Sequence, residues 1–248
     1  MIVKNKIKTA VVIPARMAST RFPGKPLAKL CGKPMIQWVY EKSVASTADA
    51  VIIATDDERI KTAVEGFGGL AIMTSTVHQS GTDRIAEAVK NRDYGIIINV
   101  QGDEPLIPTV VINELIEKMQ DCSSMEMATV AVERPRSEIA DDPNKVKVVF
   151  DAEKRALYFS RCAIPFVRES GCEAKMYLHW GIYAYRRSTL EKFVSLPTGI
   201  LESYEKLEQL RALENGIDIY VLESNLESIG VDTPEDLLKA EKKLENRK

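Results

Sequence analysis

Between residues 11 and 25 the chain reads VVIPARMASTRFPGK. Arg16, Arg21 and Lys25 fall on one short, acid-free stretch directly after an apolar run. Two guanidinium groups can grip phosphate oxygens in forked geometry, and an ammonium adds a point charge. Ser19, Thr20 and main-chain N–H groups can complete such a cradle. A basic loop that simply faces water is the alternative. Two familiar phosphate loops do not fit. No G-x-G-x-x-G follows the run, and Gly24-Lys25 is followed by Pro26 rather than Ser or Thr. What remains is a triphosphate-binding loop built from side chains.

Two acidic segments can supply the counterpart. NVQGDEPL, residues 99–106, follows a wholly apolar Ile-Ile-Ile run. Asp103 there suits Mg²⁺, which takes oxygen ligands and commonly uses one or two carboxylates together with phosphates and water. The alternative is a turn acid ahead of Pro105. In GVDTPED, residues 230–236, helix capping accounts for Thr233, Pro234, Glu235 and Asp236. It does not account for Asp232, which can complete a metal site, although turn chemistry also favours Asp.

The elements that must position these groups alternate. Short Val- and Ile-rich runs at 10–14, 50–54, 70–73, 95–100 and 127–132 read as strands buried on both faces of a mostly parallel sheet. Helical patterns at 35–45, 58–66, 83–91 and 110–120 lie between them. The pattern predicts an α/β, doubly wound, mostly parallel sheet, whose ligands bind beyond the carboxyl ends of the strands. The second half is less regular. Strands are expected at 145–150, 177–185 and 218–222, with an extended segment around YFSRCAIPF. Helices are expected over 201–214 and after Thr233. We expect one domain over 1–248, with a smaller irregular insertion at about 145–190 that leaves the main sheet.

Composition narrows the partners. The 248 residues include 34 Lys plus Arg against 36 Asp plus Glu, a net charge of −2, which argues against nucleic acid or an anionic membrane as partner. The basic loop is therefore a local feature suited to a small anion. No apolar run approaches the ~18 residues of a membrane span, and the start of the chain lacks a signal-peptide pattern. The four cysteines, Cys31, Cys122, Cys162 and Cys172, form no C-x-x-C pair, nor do the two histidines flank them at zinc spacing. Idle thiols and a cytoplasmic setting are the expectation.

With these segments in place, the chain resembles the 3-deoxy-manno-octulosonate (Kdo) cytidylyltransferases, also called CMP-Kdo synthetases. The resemblance rests on the basic loop, ATDDERI, HQSGTDRIAEAV, NVQGDEPLI, DPNKVKVV, YFSRCAIPF, HWGIYAYR, LEQLRALENG and GVDTPEDL, in family order over almost the whole chain. It implies a nucleotide-diphospho-sugar transferase-like fold. It also implies transfer of CMP from CTP to the anomeric hydroxyl of Kdo with release of pyrophosphate, for lipopolysaccharide precursor synthesis. Arg16, Lys25, Asp103 and Asp232 would carry catalysis, with Asp103 and Asp232 on Mg²⁺. Ala15, Ser80, Gly81 and Arg84 would join the basic loop around the nucleotide. Gln101, Arg161, His179, Tyr183, Glu208 and Gln209 are similar to positions that line the sugar-acid pocket. The resemblance further implies a homodimer formed through the second-half insertion. An 8-amino Kdo analogue or a sialic acid is the rival substrate. An inactive nucleotide-binding regulator is the rival class, which the presence of both aspartates and three loop cations argues against.

Overall fold

The computed structural model describes residues 6–18, 22–169 and 175–246. In chain order the first half runs β1 (Thr9–Ala15), β2 (Lys29–Leu30), β3 (Lys33–Pro34), α1 (Met35–Val44), β4 (Ala50–Thr55), α2 (Glu58–Gly66), β5 (Leu70–Met73), α3 (Gly81–Val89), β6 (Ile96–Asn99) and α4 (Thr109–Asp121). The second half runs β7 (Met127–Pro135), α5 (Arg136–Ile139), β8 (Lys147–Phe150), β9 (Ala156–Ser160), β10 (Lys175–Arg186), α6 (Arg187–Ser195), α7 (Ile200–Glu205), α8 (Leu210–Glu214), β11 (Ile219–Ser224) and α9 (Pro234–Glu245). A 3₁₀ turn at Lys25–Leu27 closes the basic loop.

The principal sheet has the order β11-β7-β10-β6-β1-β4-β5. β1 pairs in parallel with both β4 and β6, while β10 runs antiparallel to both β6 and β7. The mostly parallel, doubly wound expectation therefore describes the sheet, with β10 as the reversed strand. Alternate residues of β1 explain the layers. Val11 and Ile13 pack with Ile36 of α1, Ile60 of α2 and Leu115 of α4; Ala10 and Val12 pack with Ile85 of α3 and Phe193 of α6. Such strands have no water-facing side, so they read as continuous apolar runs. From β1 the chain winds outward to β4 and β5 but places β6 on the other flank. The loops after β1 and β6 thus diverge at a topological switch point, where a crevice opens.

The stretch around 145–190 is divided. β8 pairs with β10 and β9 pairs with β8, off the main path. The end of β10 instead sits centrally, with Ala184 opposite both Ile98 of β6 and Ala128 of β7. The helix expected over 201–214 is two helices. Lys206 adopts a left-handed conformation (φ 53°) and its N–H closes α7 on the Glu202 carbonyl. Periodicity does not reveal such a break, because the apolar spacing continues across it.

A register shift interrupts β10 between Trp180 and Tyr183. The Thr129 hydroxyl lies within hydrogen-bond reach of the Trp180 and Ile182 carbonyls there, and Gln101 Nε2 donates to the Gly181 carbonyl. A bulge of this kind re-aims neighbouring side chains. His179 consequently stands edge-on to Phe159, beside Tyr183, with Nε2 3.1 Å from Thr129 Oγ1. Burial holds its pKa down to about 3.

Two outcomes follow. Gly102 lies so close to β1 that a Cβ would stand 2.8 Å from the Pro14 carbonyl oxygen. Gly102→Ala should therefore lower the unfolding free energy by about 1–3 kcal/mol in denaturant titrations. For His179, the unfolded chain takes up a proton below its ordinary pKa of about 6.5, whereas the folded chain resists until about 3. The stability held by the neutral ring is complete above about 6.5 and declines as pH falls toward 3. His179→Gln should lose less stability than the parent between pH 7 and pH 5, read from urea midpoints.

Candidate nucleotide and metal site

A cleft of about 590 Å³ opens at the switch point, lined from the β1 side by Ala15, Arg16 and Lys25, from the start of α3 by Ser80, Gly81 and Arg84, and from the far loops by Gln101, Asp103 and Asp232. The cleft brings these four stretches, distant in sequence, together. Ser19, Thr20 and Arg21 lie outside the described residues.

The cleft centres on one ion cluster. Lys25 Nζ donates to Asp103 Oδ2 at 2.7 Å and to Asp232 Oδ1 at 3.1 Å, with the lysine side chain 12% exposed. The Gly24 αL conformation (φ 73°) and the 3₁₀ turn behind it place Lys25 at the crevice. The sequence reading assigned Lys25 to phosphate and the aspartates to metal; the structure additionally joins them to each other. Two carboxylates that satisfy one ammonium already converge on a point where a cation sits. Their oxygen chemistry suits Mg²⁺, with phosphate and water as the remaining ligands. Among the described residues no cluster of three or more His, Cys, Asp or Glu could hold a metal by itself.

The α3 entrance adds partial positive charge. Ser80 caps the helix by accepting from the Asp83 N–H, and the N-terminal turn opens on the cleft beside Gly81. Helix N-termini attract anions through their free N–H groups and dipole. Arg84 also lines the cleft, but its guanidinium is held by Asp56 (2.6 Å) and Thr74 (2.5 Å). His78, at the cleft wall, is braced by Glu87, which also accepts from the Ser75 N–H. Arg16 stands exposed at the mouth.

Of the residues expected around the sugar acid, Gln101 lines the cleft, whereas His179, Tyr183, Glu208 and Gln209 form a second set of polar groups on β10 and the α7–α8 turn, outside that lining. Buried Tyr183 Oη, Glu208 Oε1 and Gln209 Nε2 find no hydrogen-bond partner among the described residues. Glu208 accepts from the Thr82 hydroxyl through its other oxygen, and burial pushes its carboxyl up. Burial likewise raises the Tyr183 phenol. Buried polar atoms without partners are costly to stability, and a catalytic role, an ordered water or an ion are the usual reasons they persist. Glu202, Glu205 and Glu208, spaced like a solvated helix side, instead hold three different partners: Arg211, Ser160 and Thr82. Arg161 is not in the cleft lining. Its guanidinium donates to the main-chain carbonyls of Pro143, Glu205 and Lys206 and staples three loops.

Sequence reasoning missed three contributors. Lys147 is wholly buried and donates to the Asp142 and Arg161 carbonyls. Thr82 anchors Glu208. Glu104 lies next to Asp103; burial pushes its carboxyl up to about 7, the Ser228 hydroxyl pulls against this, and the charges of Asp103 and Asp232 push it further. The adjacent acids in QGDE were the available signal for Glu104.

Comparison with known proteins identifies the family. Residues 10–219 match the cytidylyltransferase family. The chain is 52% identical over 243 residues to a 3-deoxy-manno-octulosonate cytidylyltransferase of Pelobacter propionicus, covering 92% of this chain and 94% of the relative. It is 50% identical over 243 residues to an 8-amino-3,8-dideoxy-manno-octulosonate cytidylyltransferase of Shewanella oneidensis, covering 96% and 99%. A solved CMP:2-keto-3-deoxy-manno-octonic acid synthetase in complex with CTP superposes with a TM-score of 0.93 at 43% identity, covering 97% of this chain and 100% of that one. The chain belongs to the cytidylyltransferase family, among the octulosonate cytidylyltransferases.

Proposed function

We propose that the chain transfers CMP from CTP to the anomeric hydroxyl of Kdo, releasing pyrophosphate, with Mg²⁺ as cofactor. The observation that carries this reading is the Lys25–Asp103–Asp232 cluster at the centre of the cleft. Tyr183 Oη, Glu208 Oε1 and Gln209 Nε2, without hydrogen-bond partners among the described residues, supply the recognition surface for a polyhydroxy acid. Arg16, Arg21 and Lys25 hold the triphosphate; Ala15, Ser80 and Gly81 frame the rest of the nucleotide.

The attacking sugar oxygen forms a bond to the α-phosphorus in line with the bond that breaks toward the β-phosphate. The hydroxyl proton passes to solvent water, and the electron pair of the broken P–O bond leaves with pyrophosphate. The chain contributes by positioning both reactants and neutralising charge. Bound Mg²⁺ polarises phosphate oxygen and lowers the pKa of the attacking hydroxyl. Asp103 and Asp232 would hold it. Lys25 releases both carboxylates when the triphosphate draws its ammonium away, so the free chain keeps its own cation where charge must later be balanced. A homodimer, a cytoplasmic setting and a place in lipopolysaccharide precursor synthesis belong to the same reading. Leu157 and Phe166, exposed in the 145–190 stretch, suit a subunit contact.

Pyrophosphate release with CTP and Kdo, 8-amino Kdo or sialic acid tests the assignment. Kdo should give the highest kcat/KM, and absence of release with every sugar would refute it. Asp103→Asn should leave the unfolding transition in place and reduce turnover at least about 100-fold, the scale of one lost charge-stabilising contact. Lys25→Met should weaken CTP binding yet raise Mn²⁺ affinity several-fold without nucleotide, read by the electron-paramagnetic signal of free Mn²⁺.

A further inference from the structure

Asp103 and Asp232 belong to loops that strand pairing does not hold together. One follows β6 and the other follows β11, and β10 and β7 lie between those strands. Residues 225–232 have no regular secondary structure. Among the described residues, two hydrogen bonds join the loops directly. The Val231 N–H donates to the Asp103 carbonyl at 2.8 Å. The Ser228 hydroxyl donates to Glu104 Oε2 at 2.5 Å. The other Glu104 oxygen lies against the main chain at Gly230, where a Cβ would come within 3.0 Å of Oε1.

This is an expensive place for an acid. Like charges on Asp103 and Asp232 disfavour a third carboxylate, and an apolar side chain of similar volume would pack there without desolvation cost. Both Glu104 oxygens face the 228–230 segment, and no cation pairs with this carboxyl among the described residues. Its contacts are with the chain that delivers Asp232.

We propose that Glu104 is a positioning residue: its hydrogen bond to Ser228 and its contact at Gly230 hold Asp232 opposite Asp103 so that both carboxylates address one cation. The proposal rests on the metal role given above. It makes Ser228 the partner through which the acid acts, and it makes the loop's small residues a requirement of close approach.

The test is CTP binding to the full chain by calorimetry, with Mn²⁺ and with EDTA, taking the ratio of the two affinities. Asp103→Asn should collapse the wild-type ratio; a wild-type ratio near one, or an unchanged ratio in Asp103→Asn, would refute the metal role itself and this proposal with it. Given that collapse, Glu104→Ala should reduce the ratio about tenfold, the scale seen when partners of metal ligands are removed. Its metal-free CTP affinity should stay within twofold of wild type. Ser228→Ala should shift the ratio in the same direction and serves if Glu104→Ala does not fold. Glu104→Gln, which can still accept from Ser228, should recover most of the loss. A ratio unchanged in both Glu104→Ala and Ser228→Ala would overturn the proposal. So would a Glu104→Gln variant as defective as Glu104→Ala, because charge rather than the hydrogen bond would then be responsible.

Discussion

The site depends on one ammonium between two carboxylates. Lys25 comes from the loop after β1, Asp103 from the loop after β6, and Asp232 from the residue before the N-cap of α9. Three acids, Asp103, Glu104 and Asp232, crowd this corner, and Lys25 offsets part of their repulsion. A buried or half-buried charge must be paired or it destabilises the fold. In the free chain the lysine meets that need. Under the proposed function, the triphosphate and a metal would take over as charge partners, and the same residues would balance charge before and during the reaction.

The sheet makes the convergence possible. β1 has parallel neighbours on both sides, so its carboxyl end and that of β6 open at the same edge. Gly102 lets the β6 loop come against the Pro14 carbonyl, which brings Asp103 toward the loop that carries Lys25. On the other flank the reversed strand β10 presents Gly181 to Gln101 and stands His179 beside Tyr183 of the second polar set. The cleft is thus built on parallel strand ends, and the second polar set on a bulge in the antiparallel strand.

The two sides also differ in how their polar groups are satisfied. Around the ion cluster the charges pair with each other. Around Tyr183, Glu208 and Gln209, buried atoms remain without partners among the described residues. Strain of that kind persists when neighbouring structure holds it in place. Here Thr82 fixes Glu208, while Arg161, Lys147 and Glu205 lock the loops behind it through main-chain bonds.

Much of the architecture was legible in the sequence because its signals are local. The Val- and Ile-rich runs specify strands buried on two faces, Thr233-Pro234 specifies the start of α9, and the cations after β1 fall on one short stretch. Asp103 and Asp232 stood out in the sequence as acids at a strand end and before a cap. Other features were decided by tertiary structure. β10 reverses direction within the sheet, Lys206 divides a helix whose apolar spacing is unbroken, and Arg84 and Arg161 are held by partners that their own segments do not reveal. Lys25 meets Asp103 and Asp232 across 78 and 207 positions of chain. Spacing along a sequence fixes which face a side chain takes on its own element. Which distant side chain it then meets is set by strand order and by the paths of loops, and neither leaves a periodic trace in the sequence.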